Sequence, residues 1–207
     1  MTNTKTNHPV RELIFATNNK HKLEEVSQLL LGKVKITSLA EAGLEGEIPE
    51  TADTLQGNAL QKAQWVWERT GKDCFADDTG LEVEALGGAP GVYSARYAGE
   101  HCSFDDNVNK LLENMQGKTN RNAAFRTVIC LIENGQPRYF EGKVEGCILT
   151  ERYGKGGFGY DPIFMPDRFA VSFAEMPLEV KNQISHRGLA VKQLVQYLDP
   201  AKHPPEP

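Results

Sequence analysis

Four short polar segments of this chain combine residue types that could do chemistry, and the first runs from Thr17 to Lys22. It follows the apolar run Leu13 to Ala16 and precedes a helical pattern, so it lies where a strand meets a helix N-terminus. Such an end presents unpaired amide donors and a positive dipole, which suit a phosphate. The alternative is a plain turn and helix cap with solvated lysines. The candidate residues are Thr17, Asn18, Asn19, Lys20, His21 and Lys22.

The second segment is acidic, with Glu47 and Glu50 in one stretch and Asp77 and Asp78 in another. Carboxylates hold magnesium, and magnesium commonly accompanies a triphosphate. If Asp77 and Asp78 are extended, they point to opposite faces, so that one meets a metal while the other serves a turn. The alternative is an Asp-rich turn with solvated charges.

The third segment, Gly154 to Pro162, formally contains the Gly-x-Gly-x-x-Gly pattern of dinucleotide-binding proteins. That pattern must open a helix, whereas Pro162 and Pro166 follow here at once. The glycines instead allow backbone to approach a ligand, and Phe158 or Tyr160 offers an aromatic face to a base. A mobile turn is the alternative.

The fourth segment, Ser185 to Arg187, begins a helix with Ser185 as a suitable N-cap. His186 and Arg187 would be cations in the first turn, where each charge costs about 0.3–1 kcal/mol against the helix dipole. Pointed at a carbonyl, both would donate hydrogen bonds that fit a 6-oxo purine and mismatch a 6-amino purine. Solvent-exposed surface residues are the alternative.

Composition limits the classes of protein that need considering. The chain has 207 residues, 40% of them hydrophobic and 25% charged, which is typical of one globular domain. A net charge of −5 argues against a broad nucleic-acid surface. The four cysteines form no Cys-x-x-Cys pair, so we expect reduced thiols in the cytoplasm. No apolar stretch is typical of a secretory signal or a membrane span.

Apolar spacing predicts the elements that must position these segments. Residues 1–9 are expected to be disordered, residues 10–199 to form a single domain, and residues 200–207 to be a flexible, proline-rich tail. The predicted elements are a strand over Val10–Thr17, a helix over Lys20–Leu31 ended by Gly32, a helix from Asp53 or Thr54 to Gly71, strands over Cys74–Ala76 and Leu81–Leu86 around a polar turn at Asp77–Gly80, a helix over Phe104–Met115, a hairpin of Ala123–Glu133 and Arg138–Thr150 around Asn134-Gly135, and a helix over Ser185–Leu198.

Taken together, the segments resemble the inosine triphosphate pyrophosphatase family from about Leu13 to Leu198. Four motifs in the same order carry the likeness: Ala16-Thr17-Asn18-Asn19-Lys20-His21-Lys22, Ala76-Asp77-Asp78-Thr79-Gly80-Leu81, Gly156-Gly157-Phe158-Gly159-Tyr160-Asp161-Pro162 and Ser185-His186-Arg187-Gly188. The resemblance implies a two-lobed α/β fold with a long mixed β-sheet flanked by helices, a central nucleotide cleft, a Mg2+ requirement and a homodimer. It implies a purine nucleoside triphosphate as the partner, with no nucleic acid and no membrane.

The resemblance also implies roles for particular residues. Asp78 would be the catalytic base or a metal ligand, and Glu50 a second metal ligand. The implied substrate contacts are Thr17, Asn19, Lys22 and Lys62 on the triphosphate, Thr79, Phe158 stacked on the purine, Gly159, Tyr160, Asp161 and Lys181 along the site, and His186 and Arg187 at the 6-oxo edge.

Two departures from the family pattern matter. Asn18 replaces a usual glycine, which an asparagine can do because it tolerates a left-handed backbone. The segment around Glu50 aligns loosely, so Glu45 or Glu47 is an alternative metal ligand.

The activity that this resemblance implies is hydrolysis of damaged purine nucleotides, namely dITP, ITP, XTP and dXTP, to the monophosphate and pyrophosphate. Asp78 would help to activate a water that attacks the α-phosphorus, with magnesium bridging the phosphates to Glu50 and Asp78. Two alternatives stay open: a septum-type pyrophosphatase for pyrimidine or modified nucleotides, and a non-catalytic nucleotide sensor.

Overall fold

The structure is a computed structural model and describes residues 10–199. The predictions for residues 1–9 and 200–207 lie outside the described residues. Within residues 10–199, no helix combines the length and the apolar character that crossing a membrane requires.

Five α-helices, several short 3-10 helices and one seven-stranded sheet make up the described part of the chain. The helices are α1 (Lys20–Leu30), α2 (Leu55–Thr70), α3 (Phe104–Asn114), α4 (Leu178–Ile184) and α5 (His186–Leu198). The strands are β1 (Arg11–Phe15), β2 (Val34–Thr37), β3 (Cys74–Val83), β4 (Pro90–Gly91), β5 (Asn122–Glu133), β6 (Gln136–Ile148) and β7 (Phe164–Pro166).

The sheet is mixed, with the strand order β2-β1-β3-β5-β6-β7 and with β4 beside β3. β1 is parallel to both β2 and β3, whereas β3, β5, β6 and β7 are successively antiparallel. The β5–β6 hairpin turns through Asn134 and Gly135 at positive φ, as an Asn-Gly pair favours. The predicted α/β fold with a long mixed sheet is confirmed.

The predicted helix ends are confirmed where a capping residue defines them. Thr54, rather than Asp53, caps α2, and its side chain accepts from the Gly57 amide. Gly71 ends that helix with a φ of 61°, a left-handed conformation that glycine adopts without strain.

The prediction of two strands around a polar turn at Asp77–Gly80 is wrong. β3 is one strand through these residues and pairs with β5 from Cys74 to Val83. Hydrogen bonds and ion pairs to neighbouring elements hold the two aspartates, so their charges need no solvent-exposed turn.

β2 and α4 are among the elements that the sequence did not predict. β2 is only four residues long and α4 only seven, so each offers too few positions for a periodic apolar pattern to be recognised. α4 carries Lys181 into the interior.

Successive residues of β1 and β3 pack alternately into two cores. Phe15 and Phe75 face α1 and α5, whereas Ala16 and Ala76 face α2. The far end of β3 enters a third core, built around α3 and β7. The first two cores form one lobe and the third core forms the second lobe, so that the middle of β3 lies between the lobes.

Candidate active site

A cleft of about 390 Å³ opens between the two lobes at the middle of β3. This volume is within the range of small-molecule sites. All but two of the residues predicted for the site line it; the exceptions are Lys20 and His21, which are exposed. The predicted residues at the cleft are Thr17, Asn18, Asn19, Lys22, Glu50, Lys62, Asp78, Thr79, Phe158, Gly159, Tyr160, Asp161, Lys181, His186 and Arg187.

At the junction of β1 and α1, Asn19 caps the helix, as the simpler of the two interpretations of this segment predicted. The Asn19 side-chain oxygen accepts from the amides of His21 and Lys22, and the Asn19 amide donates to the Thr17 hydroxyl at 3.1 Å. These amides are therefore already hydrogen-bonded within the chain, and an anion here would meet the side chains instead. Asn18 has no positive φ, so the explanation of this residue by a left-handed backbone is wrong.

Asp77 lies on the β3 face that meets α1 and α5, and it is 1% exposed. Its carboxylate accepts from Lys22 Nζ and from Arg187 Nε, each at 3.1 Å. Arg187 also donates to Glu25 and, at 3.2 Å, to the Thr79 hydroxyl. The predicted turn role of Asp77 is therefore wrong, because the residue is a partner of two buried cations.

Asp78 lies on the opposite face of β3, toward α2. Lys62 Nζ donates to Asp78 Oδ1 at 3.1 Å and also to Glu50, so one ammonium joins the two predicted metal ligands. Asn58 Nδ2 donates to Asp78 Oδ2 at 3.1 Å. Lys62 and Asn58 thus lie on one helical face, as their spacing predicts.

The two adjacent aspartates differ in their proton affinity. Burial would raise the pKa of the Asp77 carboxyl, but Lys22, Arg187 and Lys62 outweigh it and hold that pKa far below the usual value. At Asp78 burial dominates over the attraction of Lys62, and the pKa is raised. A carboxylate with a raised pKa is a better proton acceptor than an exposed one.

Of the three candidate metal ligands Glu45, Glu47 and Glu50, Glu50 is the one connected to Asp78, because both carboxylates accept from Lys62 Nζ. Glu47 lines the cleft but is exposed, and Glu45 is exposed and away from the lining. Burial would raise the pKa of Glu50, yet Lys62 keeps it below its usual value, so the group is ionised. Among residues 10–199, no three His, Cys, Asp or Glu residues form a group that could hold a metal ion.

The glycine-rich segment places the Phe158 ring at the cleft. A 3-10 helix and the short strand β7, rather than an α-helix, follow the segment directly. Gly157 has a φ of 68°, and a Cβ there would lie 2.1 Å from the Asp161 carboxylate, so only glycine fits. That carboxylate accepts from the Phe158 amide at 2.9 Å and from Lys181 at 2.6 Å. Phe158 is thereby held in place, with the His21 ring stacked on it at 5.2 Å between centroids.

His186 is a buried, neutral side chain rather than a cation. Burial, together with the nearby Arg187 and Lys181, lowers its pKa well below 6.5, and its ring stacks on Phe125 at 4.5 Å. The expected cost of two cations in the first turn of α5 is therefore wrong, since His186 is uncharged and Arg187 is neutralised by Asp77 and Glu25. Gly142 of β6 allows this approach, because a Cβ there would lie 1.9 Å from the His186 carbonyl oxygen.

One atom of His186 has no partner in the described residues. Its Nδ1 is the only buried side-chain nitrogen or oxygen in residues 10–199 without a hydrogen bond. An unsatisfied buried polar atom costs about 1–3 kcal/mol, so a ligand group that pairs with it would recover that energy.

Sequence reasoning missed several residues at or beside the cleft. Glu25, which is 5% exposed, bridges Lys181 and Arg187, and its position three residues after Lys22 on α1 was a signal that could have revealed it. Phe104 and Phe125 line the cleft from other elements, and no local pattern marks them.

Comparison with known proteins identifies the family. The family model described as the Ham1 family matches residues 13–197, which is most of the chain. The chain belongs to the Ham1 family. The resemblance stated from the motifs is confirmed.

Named relatives and solved structures of the Ham1 family agree in length and fold. A dITP/XTP pyrophosphatase of Porphyromonas gingivalis is 60% identical, over 93% of this chain and 100% of the relative. A dITP/XTP pyrophosphatase of Flavobacterium johnsoniae is 52% identical, over 92% of this chain and 100% of the relative. The Ham1 protein structure from Staphylococcus aureus is 37% identical with a TM-score of 0.83, over 93% of this chain and 100% of that chain. The HAM1 protein structure from Coxiella burnetii is 39% identical with a TM-score of 0.84, over 91% of this chain and 98% of that chain.

Proposed function

We propose that this protein hydrolyses 6-oxo purine nucleoside triphosphates, namely dITP, ITP, XTP and dXTP, to the monophosphate and pyrophosphate. The observation that carries the proposal is one cleft lined by two chemically different groups of side chains. Lysines and carboxylates suit a triphosphate and its cation, and Phe158, His186 and Arg187 suit a purine base. The names of the relatives, dITP/XTP pyrophosphatases, support the same reaction.

The proposed phosphate ligands are Thr17, Asn19, Lys22 and Lys62. Lys62 is 4% exposed, and burial would lower its pKa, but Asp78 and Glu50 outweigh this effect and raise it, so the ammonium is charged. An anionic triphosphate entering here meets charged side chains that are already held in place by ion pairs, which reduces the cost of reorganisation.

Ham1 pyrophosphatases generally need a divalent metal, and we propose Mg2+. The donor set fits it, because two carboxylates, Glu50 and Asp78, share one ammonium and so leave one negative charge in surplus. Magnesium is usually held by one or two carboxylates together with substrate phosphates and water. When bound, it would supply neutralisation of the phosphate charge.

Asp78 acts as the general base in this proposal. Its carboxylate takes a proton from a water molecule, whose oxygen attacks the α-phosphorus while the bond from that phosphorus to the α–β bridging oxygen breaks. Pyrophosphate leaves with the bridging oxygen. The raised pKa of Asp78 suits proton acceptance, and Lys62 and Asn58 hold the carboxylate in one orientation.

For the purine base, Phe158 supplies an aromatic face, and His186 and Arg187 supply donors to the 6-oxo group. Arg187 has five N–H donors, and three of them bond to Asp77, Glu25 and Thr79, so two remain for a ligand. His186 also lines the cleft, and its uncharged ring carries one N–H donor. A 6-amino purine would leave these donors without an acceptor.

A cytoplasmic location and a homodimer belong to the same proposal. They are supported by the family resemblance, and size-exclusion chromatography with light scattering tests the dimer. A monomer at micromolar concentration would contradict it.

The experiment is a panel of triphosphates assayed for pyrophosphate with and without Mg2+, with an Asp78→Asn preparation as background. We expect release from ITP, dITP and XTP, with kcat/KM above that for ATP by at least about tenfold, the effect of about 1.4 kcal/mol when one protein donor is left without an acceptor. Faster hydrolysis of dTTP or UTP would favour the septum-type enzyme instead. Binding without hydrolysis would favour the sensor.

A further inference from the structure

Asn58, on the second turn of α2, uses both ends of its side-chain amide in a buried position. The residue is 1% exposed. Its Nδ2 donates to Asp78 Oδ2 at 3.1 Å, and its Oδ1 accepts from the Ala52 amide at 2.9 Å. A buried amide with both ends satisfied adopts one orientation, since rotation by 180° would put like groups together at both ends.

The two partners of Asn58 belong to two different parts of the acidic site. Asp78 is on β3, whereas Ala52 lies two residues after Glu50 in the segment that leads into α2. One side chain therefore connects the β3 carboxylate to the segment that carries the other carboxylate. Lys62 makes a parallel connection through its ammonium, which contacts Asp78 and Glu50 directly.

The roles of the two connections differ. Lys62 donates to Asp78 Oδ1 and is itself a proposed phosphate ligand. An incoming triphosphate therefore competes with Asp78 for Lys62, and an incoming cation competes with Lys62 for Asp78. Asn58 is uncharged and buried, and it is not a proposed ligand of the nucleotide or the cation, so the proposed binding mode leaves its bond to Oδ2 in place.

We propose that Asn58 is a positioning residue that fixes the Asp78 carboxylate and holds the Glu50 segment at a constant offset from it, so that both carboxylates meet the cation together. This inference rests on the proposed function. Groups that orient metal ligands through hydrogen bonds typically change metal affinity or activity about 10- to 100-fold when they are replaced.

A nearby residue offers a matched control. Gln61, almost one turn further along α2, tethers the same segment through Thr51, with bonds of 2.9 Å from the Thr51 amide and to the Thr51 hydroxyl. Both bonds are exposed, and neither reaches Asp78. Gln61→Ala therefore removes an exposed tether of this segment and leaves the buried Asn58 bonds to Ala52 and Asp78 in place.

The test measures the Mg2+ concentration that gives half-maximal ITP hydrolysis, with kcat and KM, for wild type, Asn58→Asp, Asn58→Ala and Gln61→Ala. Asn58→Asp keeps an acceptor for Ala52 but loses the donor to Asp78, and it adds a negative charge that by itself attracts a cation, so Asn58→Ala carries the prediction. We expect this midpoint to rise about tenfold in Asn58→Ala and less than about twofold in Gln61→Ala. An irreversibly inactive fraction would lower the rate without moving the midpoint, and urea denaturation without Mg2+ checks that each variant is fully folded before the metal is added.

A second readout is independent of turnover. The rise in melting temperature on adding Mg2+ with a non-hydrolysable α,β-imido analogue of ITP should require about tenfold more metal in Asn58→Ala. Asn58→Ala is expected to fold, because alanine favours the helix. Wild-type midpoints in both readouts for Asn58→Ala would overturn the inference. Absence of hydrolysis by the wild type would contradict the proposed function, and the melting readout would still test Asn58.

Discussion

The two faces of β3 carry the same side chain in two different settings. On the face toward α1 and α5, Asp77 takes part in a closed set of charges, with Glu25 and Asp161 as the other anions and Lys22, Arg187 and Lys181 as the cations. On the face toward α2, Asp78 and Glu50 share the single cation Lys62. The first set is balanced, and the second has one surplus negative charge.

This difference separates positioning from chemistry. Balanced buried charges that are hydrogen-bonded to one another hold elements in place, and removal of one partner is costly. An unbalanced set in a cleft attracts a further cation, and its carboxylate has the raised pKa that proton transfer needs. We therefore expect substitutions on the two faces to change different quantities.

The largest effect is expected for Asp78→Asn. Removing the proton acceptor should lower kcat by about 10³-fold, or about 4 kcal/mol, while binding of the α,β-imido analogue of ITP at saturating Mg2+ weakens far less. Because burial already disfavours the Asp78 charge, the free energy of unfolding should change much less than the activation free energy of hydrolysis. Steady-state kinetics and urea denaturation check both parts. Turnover at the wild-type rate would exclude Asp78 as the base.

Asp77→Asn should have the opposite profile. It removes the carboxylate that pairs with Lys22 and one of the two that pair with Arg187, so the free energy of unfolding should fall by about 3 kcal/mol. Urea denaturation at pH 7 measures it, with Asp78→Asn as the matched control. An equal loss of stability in both variants would remove the distinction between the two faces.

The pH dependence of stability sharpens the same comparison through His186, which adjoins the Asp77 network. Its pKa is lowered in the folded protein, so the unfolded state binds the proton more tightly. Stability is then fully present above pH 6.5 and is lost as the pH falls below that value, by up to about 1.4 kcal/mol per pH unit. His186→Phe should remove this component of the slope between pH 6.5 and 5.5, as measured by urea denaturation. An unchanged slope would show that another group causes it.

The smallest effect is expected at the hydroxyl pair of Thr79 and Thr127, whose oxygens are 2.7 Å apart on the Asp77 face. Thr127→Val removes one hydrogen bond at nearly constant volume and should cost about 1 kcal/mol of unfolding free energy. The same measurement with Thr127→Ser, which keeps the hydroxyl, provides the control. Equal losses for valine and serine would indicate packing rather than the hydrogen bond.

Local patterns predicted those parts of the fold that depend on neighbouring residues. Thr54 and Gly71 mark the ends of α2, and Asn134-Gly135 marks the hairpin, because capping and turn geometry are decided within a few residues. The continuous β3 could not be predicted in this way. Its polar middle is typical of a turn in the sequence. It is stabilised as a strand by ion pairs with Lys22, Lys62 and Arg187, which belong to other elements.

The sequence by itself determined which residues could serve a nucleotide, since the types and order of four motifs indicated a family and a cleft. The tertiary structure decided what each residue does there. Adjacent carboxylates received opposite pKa shifts because alternate residues of a strand face different layers, each with its own charges. The His186 ring is uncharged and its Nδ1 has no hydrogen-bond partner, because α5 packs the ring against Phe125. No sequence spacing encodes that burial.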